Sequence, residues 1–286
     1  MIFEIIYTKN MKVSEKSVTP ALNKNHFEEI SRRLYDLCGI KLTSGKEELV
    51  KSRLSKRLQV LKLDNFDQYL HYVERDSTGK EIAQMIDVLT TNKTSFFREI
   101  QHFDYLRERI LPGLDRTEKR LRIWSAACSS GEEPYSIAIL LREAMPDVDR
   151  WDARILATDI SMRVVTAARE AVYKKETVVG IPSNLLQKHF AAVPNQNSWV
   201  VNDNVRRLIR FANLNLMDKW LMRGPFDVIF CRNVMIYFDK QTQQKLVDRF
   251  AQLLAPGGHL FVGHSESLTG SAGALRYVQP AVYVKE

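Results

Sequence analysis

The stretch Leu121–Tyr135, LRIWSAACSSGEEPY, constrains the fold of this chain more than any other. Leu121, Ile123 and Trp124 form a short apolar run after the charged segment Arg116 to Arg120, small residues lead to Gly131, and Ser136 to Leu141 reads as helix. Strand, tight turn and helix make the βα unit of an α/β sheet. Ala127, Ser129 and Gly131 alternate as the small residues of a G-x-G-x-G-like turn, where missing bulk lets the backbone approach a ligand. Two of the glycines are replaced, so taken alone the turn is more often ordinary α/β packing than a cofactor site.

The strands after the turn shift that balance. Arg154 to Thr158 (RILAT) reads as a second strand with Asp159 at its C-terminal end, and Ser161 can cap the helix Met162 to Ala171. An acid there is placed to bind the two hydroxyls of a ribose, although Asp is equally at home as a cap or turn residue. Phe226 to Cys231 (FDVIFC) is nearly all apolar, as a central parallel strand should be, and delivers Arg232, Asn233 and Tyr237 beyond its end. Open α/β sheets bind ligands outside the carboxyl ends of their strands, so Ala127, Asp159 and Asn233 should converge on one crevice. Arg207 to Phe211 is a further strand leading into Asn213–Leu216, Gln241 to Leu254 an amphipathic helix, and His259 to Val262 and Tyr277 to Val284 the closing strands. Tyr173 to Val205 breaks the alternation and reads as an insertion.

Upstream, the period is helical. Phe27, Ile30, Leu34 and Leu37 recur at threes and fours from Asn23 to Cys38, with Gly39 as stop; Ser44 to Leu61 carries Val50, Leu54, Leu58 and Leu61 on one side. Phe66 to Val73 and Ile82 to Leu89 complete an all-helical module over residues 21–91, after a loose leader over 1–20 in which Met11 is an alternative start. Lys46, Arg53, Lys56 and Arg57 lie off the leucine side of the second helix, as a basic face. The period pauses at TTNKTSFFRE (90–99) and resumes to Leu111, making 92–113 an inter-domain segment and helix, with 114–286 as the α/β domain.

Composition narrows the function. A net charge of +8 and a pI near 9.3 favour an acidic partner: nucleic acid, anionic lipid or acidic protein. Cys38, Cys128 and Cys231 are widely spaced without a C-x-x-C pair, so neither a disulfide framework nor a metal site is expected, and a reducing cytoplasm is the natural setting. Met1–Tyr7 is apolar but too short and too poorly flanked for a signal peptide or a membrane span. A P-loop is absent, AACSSG lacks the fuller turn of a dehydrogenase, and GHSES, without a nucleophile elbow, reads as a polar strand end. The crevice asks for an adenosine-type ligand.

TTNKTSFFRE, WSAACSSGEEPYSIA, ATDIS, NLNLMD, FDVIFCRNVMIYFD and LAPGGHLFVGHSES together resemble the chemotaxis receptor glutamate methyltransferases of bacteria, the CheR family, from about residue 25 to the C-terminus. The resemblance implies a Rossmann-like class I methyltransferase sheet with a small helical N-terminal domain and an inserted β-subdomain (173–211), which in some members grips a short receptor peptide and is slightly shorter here. It implies S-adenosylmethionine as cofactor, S-adenosylhomocysteine as product, and glutamate side chains of chemoreceptor cytoplasmic domains as acceptors. Carried over, the cofactor contacts are Asn92, Thr94, Arg98, Glu133, Asp159 at the ribose, Asn215 and Leu216 beside the adenine, and Arg232 and Asn233, joined by Ala127 of the turn. Arg98 and Tyr237 are nearest the transferring methyl. Arg53, Lys56 and Arg57 are expected to dock an acidic receptor bundle. The protein is then expected to be a cytoplasmic monomer recruited to membrane-associated receptor arrays, without membrane insertion or nucleic acid. The chief alternative is a nucleic-acid methyltransferase, which suits the pI; its Asn or Asp, two prolines and aromatic are replaced here by CRNVMIY. A non-enzymatic adenosine-ligand sensor is a third reading.

Overall fold

The computed structural model describes residues 20–268 and 273–286. The leader expected over residues 1–20 and the choice of start lie, Pro20 apart, outside the described residues.

Four helices come first: α1 (Lys24–Cys38), α2 (Glu47–Leu61), α3 (Phe66–Arg75) and α4 (Lys80–Leu89). Asn23 caps α1 by accepting the His26 N–H at 2.8 Å, and Gly39 ends it in the left-handed conformation at φ 71°. α2 begins at Glu47 rather than Ser44, because Ser44 and Gly45 turn, with Gly45 at φ 92°. Ile30, Val50, Leu54, Leu58, Phe66, Tyr69 and Met85 are wholly buried where the four apolar faces meet.

The chain then crosses to α5 (Ile100–Tyr105), extended by π and 3-10 turns to Gly113. β1 (Arg120–Ala126), α6 (Glu132–Ala144), β2 (Asp152–Asp159) and α7 (Met162–Glu170) alternate as expected. β3 (Val172–Lys174), α8 (Lys175–Val178), α9 (Ser183–His189), β4 (Phe190–Ala192), β5 (Ser198–Val201) and α10 (Asp203–Arg206) interrupt them. β6 (Ile209–Asn213), β7 (Phe226–Cys231), α11 (Lys240–Leu253), β8 (Leu254–Val262), β9 (Leu275–Gln279) and β10 (Val282–Lys285) complete the chain.

The main sheet has the order β6-β2-β1-β7-β8-β10-β9. Its first five strands are parallel, and β10 runs antiparallel to both β8 and β9. β7 explains its own composition: Val228 and Phe230 enter the core under α6, while Ile229 and Cys231 enter the core under α11, so both faces of the strand are covered. β3, β5 and β4 form a separate antiparallel sheet. The expected insertion of 173–211 runs too far. β6 sets Ile209 opposite Ile155 in the main sheet, so the separate sheet closes at Val201.

The helical domain is seated at the C-terminal ends of the parallel strands. Asn215 Nδ2 donates to Leu37 O at 2.7 Å, Lys41 N to Tyr237 O at 2.9 Å, and Tyr35 Oη to Asp239 Oδ2 at 2.6 Å. At Gly39 a Cβ would stand 2.9 Å from Met217 Sδ, and the left-handed φ of 71° is what favours glycine at this approach. Among the described residues no helix is long and apolar enough to cross a membrane.

Candidate active site

β1 neighbours both β2 and β7, and the turn from β1 into α6 therefore opens at the point where the strand order reverses. Ala127, Ser129 and Gly131 all take positive φ, 65°, 49° and 97°. Two of these are not glycine, and each such residue costs about 1–2 kcal/mol, a strain that persists only where surroundings over-determine it. The surroundings are visible. Cys128 N donates to Thr158 O at 2.8 Å, Ser129 N to Asp159 Oδ2 at 2.9 Å, and Ser129 Oγ to Asn92 O at 3.0 Å. At Gly131 a Cβ would meet Ala168 Cβ and Tyr173 Oη at 2.9 Å, which is why the third small residue has to be glycine.

Asp159 is buried at the end of β2, with Oδ1 accepting the Ser161 N–H at 3.0 Å. Burial pushes its carboxyl above the usual range, opposed by the two backbone donors. Each oxygen keeps a second lone pair, which a hydroxyl donor can use.

Arg232 joins three parts of the chain. Its guanidinium donates to Glu133 Oε2 at 3.1 Å, Glu99 Oε2 at 2.9 Å and Arg98 O at 2.5 Å. Glu133 also accepts from Ser125 Oγ at 2.7 Å, and Glu99 from Asn233 Nδ2 at 3.2 Å. Burial raises the Glu133 carboxyl against the pull of Arg232. For Glu99 burial is outweighed by Arg232 and Asn233, and its carboxyl lies below the usual range. The chain enters this knot at Glu99 with φ 57°, directly before α5.

Around these groups lies a crevice of about 330 Å³. Asn92, Thr94, Arg98, Ala127, Glu133, Asp159, Asn215, Leu216, Arg232, Asn233 and Tyr237 all line it, so the candidates from five separate stretches meet in one place. Arg98 is partly exposed and donates to Lys93 O at 2.9 Å. Asn215 is already bonded to Leu37 O, to Met217 N at 3.0 Å and to Asp218 Oδ1 at 3.2 Å, tying the two domains at the crevice wall.

Arg53, Lys56 and Arg57 do not meet the crevice, nor do they share a free face. Arg53 Nη1 donates to the carbonyls of Val88, Leu89 and Thr90 at 3.1, 2.9 and 2.8 Å, closing the C-terminal end of α4. Arg57 pairs with Glu81, which is 2% exposed and also accepts from Tyr69 Oη at 3.0 Å. Only Lys56 of the three is exposed, while Lys46 lines the crevice instead. Packing of α4 against α2 takes up the two arginines that the sequence pattern left free.

Three residues escaped sequence reasoning. Glu99 and Glu266 act through partners far along the chain. His102, on α5, is fully buried, with neither ring nitrogen hydrogen-bonded, and meets the exposed His264 edge to face at 4.8 Å. Burial, then Arg232, lowers its pKa from 6.5 to about 3.

The residues fit S-adenosylmethionine. The small-residue turn leaves room for close backbone approach, two acids and Arg98 offer partners for ribose and amino-acid groups, and Leu214, Leu216 and Ile160 offer apolar wall. Fold and site together define an S-adenosylmethionine-dependent methyltransferase. Residues 92–284 match the CheR methyltransferase SAM binding domain and residues 25–90 the CheR methyltransferase all-alpha domain, and the chain belongs to the CheR family. It is 45% identical to a probable chemotaxis protein methyltransferase of Rhizobium etli, over 84% of this chain and 91% of that one. Identity is 39% to the chemotaxis protein methyltransferase of Borreliella burgdorferi, over 92% and 95%. With chemotaxis protein methyltransferase 2 of Pseudomonas aeruginosa it is 42%, over 91% and 92%. A solved structure, PKMT2 from Rickettsia typhi in complex with AdoHcy, is 15% identical with a TM-score of 0.36, over 60% of this chain and 26% of that one.

Proposed function

We propose that this enzyme methylates glutamate side chains of chemoreceptor cytoplasmic domains, giving glutamate methyl esters and S-adenosylhomocysteine. The observation that carries the reading is the electrostatic character of the crevice. Lys41, Lys46, Lys93 and Arg98 line it from both domains, and no histidine lines it among the described residues. Such a site attracts an anionic acceptor and presents no imidazole to remove a proton. A glutamate carboxylate, with a reference pKa of about 4.3, needs no deprotonation at neutral pH.

When bound, the sulfonium supplies a methyl carbon; a carboxylate oxygen bonds to it as the S–C bond breaks and its electron pair stays on sulfur. The chain's own work is alignment and exclusion of water. Asp159 binds the ribose hydroxyls through its free lone pairs, and Glu133, Asn92 and Thr94 hold the amino-acid end. Asn215 and Leu216 flank the adenine. Arg98 orients the acceptor carboxylate by a charge-assisted hydrogen bond, and Tyr237 limits its other side. The enzyme works as a monomer in the cytoplasm, recruited to receptor arrays by this acidic substrate.

The test is mass spectrometry of receptor cytoplasmic fragments, and separately of duplex DNA, after incubation with enzyme and cofactor. A 14-dalton increment on receptor glutamates, labile to mild base, is the expected result. Methylated DNA with unmodified receptor would replace this reading with the nucleic-acid one.

A further inference from the structure

We propose that Glu266, in the GHSES segment, is a positioning residue that fixes Asn233 and Tyr237 in the crevice from behind. The inference rests on the reading of that crevice as the methyl-transfer site. Glu266 is 8% exposed and, unlike Glu99 and Glu133, has no cation against it among the described residues. Its carboxylate instead accepts three backbone N–H groups: Gly263 at 2.5 Å and Asn233 at 2.8 Å on Oε2, and Ile236 at 3.2 Å on Oε1. Its own N–H returns to Gly263 O at 2.8 Å.

These donors belong to two neighbouring strand ends. β7 and β8 run parallel with Cys231 opposite Val262, so the chain leaves the sheet at Arg232 and Gly263 side by side. The β7 exit must carry Asn233 at φ 60°, a left-handed backbone, and then a 3-10 turn from Met235 to Tyr237. Both features leave N–H groups without a partner in the turn, and one carboxylate takes them. The close approach is enforced from the other side as well. A Cβ on Gly263 would crowd Asn233 Nδ2 and stand 2.8 Å from Glu266 Oε2 and 2.9 Å from Asn233 N. Gln243 Nε2, donating to Met235 O at 2.8 Å and Phe238 O at 3.1 Å, holds the far end of the same loop.

Asn233 and Tyr237 line the crevice; Glu266 does not. Its effect on the reaction is therefore indirect, through the placement of these two residues. Gln at 266 keeps the shape but presents an NH₂ where a carboxylate oxygen accepted N–H, so one donor faces another.

The experiment compares Glu266→Gln, Gly263→Ala, their combination, Asn233→Ala and Tyr237→Phe, measuring S-adenosylhomocysteine binding by calorimetry and kcat and KM for receptor methylation. Thermal unfolding is recorded in parallel. Glu266→Gln is expected to weaken cofactor binding and lower kcat at saturating cofactor by roughly tenfold each, within the cost of an ångström-scale misplacement. Receptor KM should change less than threefold, since Tyr237 borders only the reacting carboxylate and the rest of the acceptor's docking surface is untouched. Gly263→Ala should do the same, and the double variant should be no worse than either alone, because both disturb one contact. Should Glu266→Gln not fold, Gly263→Ala alone must still give the split between kcat and receptor KM. Wild-type binding and kcat in folded Glu266→Gln, or losses that simply track the unfolded fraction, would overturn the inference. Wild-type behaviour of Asn233→Ala and Tyr237→Phe would instead overturn the reading of the crevice itself.

Discussion

Ser129 donates its backbone N–H to Asp159 Oδ2 at 2.9 Å, so the acid that ends the second strand holds the left-handed turn that ends the first. Asp159 thus serves two purposes, one structural and one proposed for the ribose. Asp159→Ala strips both buried N–H groups of their acceptor at about 1–3 kcal/mol each and also removes the ribose partner. A lowered melting temperature and a loss of S-adenosylhomocysteine affinity of at least about tenfold should appear together, tenfold being about 1.4 kcal/mol. Asp159→Asn keeps one acceptor oxygen and should fall between. Calorimetric titration with unchanged affinity in folded Asp159→Ala would remove it from the site.

The pair Arg57 and Glu81 leads to a prediction about stability rather than docking. Glu81 is buried with Arg57 as its cation, and truncating one partner of such a pair typically costs about 3–5 kcal/mol. The exposed edge of Arg57, with its side chain 20% accessible, places it at the low end. Arg57→Ala should therefore lower stability in urea by about 3 kcal/mol, while Lys56→Ala, on the exposed side, should stay within about 0.5 kcal/mol. Equal midpoints for the two variants would refute this division.

The corrected role of Arg57 shows where sequence reasoning reached and where it stopped. The small residues at 127, 129 and 131 and the acid at 159 are local signals, each tied to a strand end that hydrophobic periodicity locates, and the structure sets 127, 129 and 159 at one crevice. A helical wheel places Arg53 and Arg57 away from the leucines but says nothing of a second helix, α4, that covers that side. Glu99 and Glu266 were illegible for a related reason. Their partners, Arg232 and Asn233, lie 133 and 33 residues away, and no local pattern announces a carboxylate that accepts backbone N–H groups across two strand exits. The boundary of the inserted sheet failed for another reason: the residue pattern announces a strand at Arg207 to Phe211, but no local pattern says which sheet a strand joins, and β6 pairs with β2.

His102 supplies a pH dependence of stability. The native state holds it neutral, with a pKa of about 3 against an ordinary 6.5, so between those values the unfolded chain binds a proton that the native chain refuses. Its contribution is complete above about pH 6.5 and is lost progressively as the pH falls, at up to about 1.4 kcal/mol per pH unit. Urea denaturation of wild type and His102→Gln between pH 5 and 7 should show a shallower pH slope in the variant, by close to one proton at the lower end. Parallel slopes would mean that His102 is charged in the native protein.

The chemical step should be as free of titration as the crevice is of histidine. A carboxylate acceptor ionises through about pH 4 to 5 and is nearly all anionic at neutrality, leaving nothing for a base to remove. Single-turnover methylation with saturating partners is therefore expected to be flat between about pH 6 and 8, because His102, the imidazole nearest Arg232 and Glu99, stays neutral throughout that range. Arg98 matters through position and charge. Arg98→Lys keeps the charge but loses the planar fork that bonds Lys93 O and is proposed to hold an acceptor oxygen, and should slow the step by roughly tenfold to a hundredfold. Arg98→Ala should be slower still, and Tyr237→Phe milder, since an orienting phenol carries no obligatory proton. A steep rise in rate through about pH 6.5 that vanishes on mutation of one crevice residue would reveal a working base. It would also point to an amine or hydroxyl acceptor, the kinds of nucleophile that have a proton to lose.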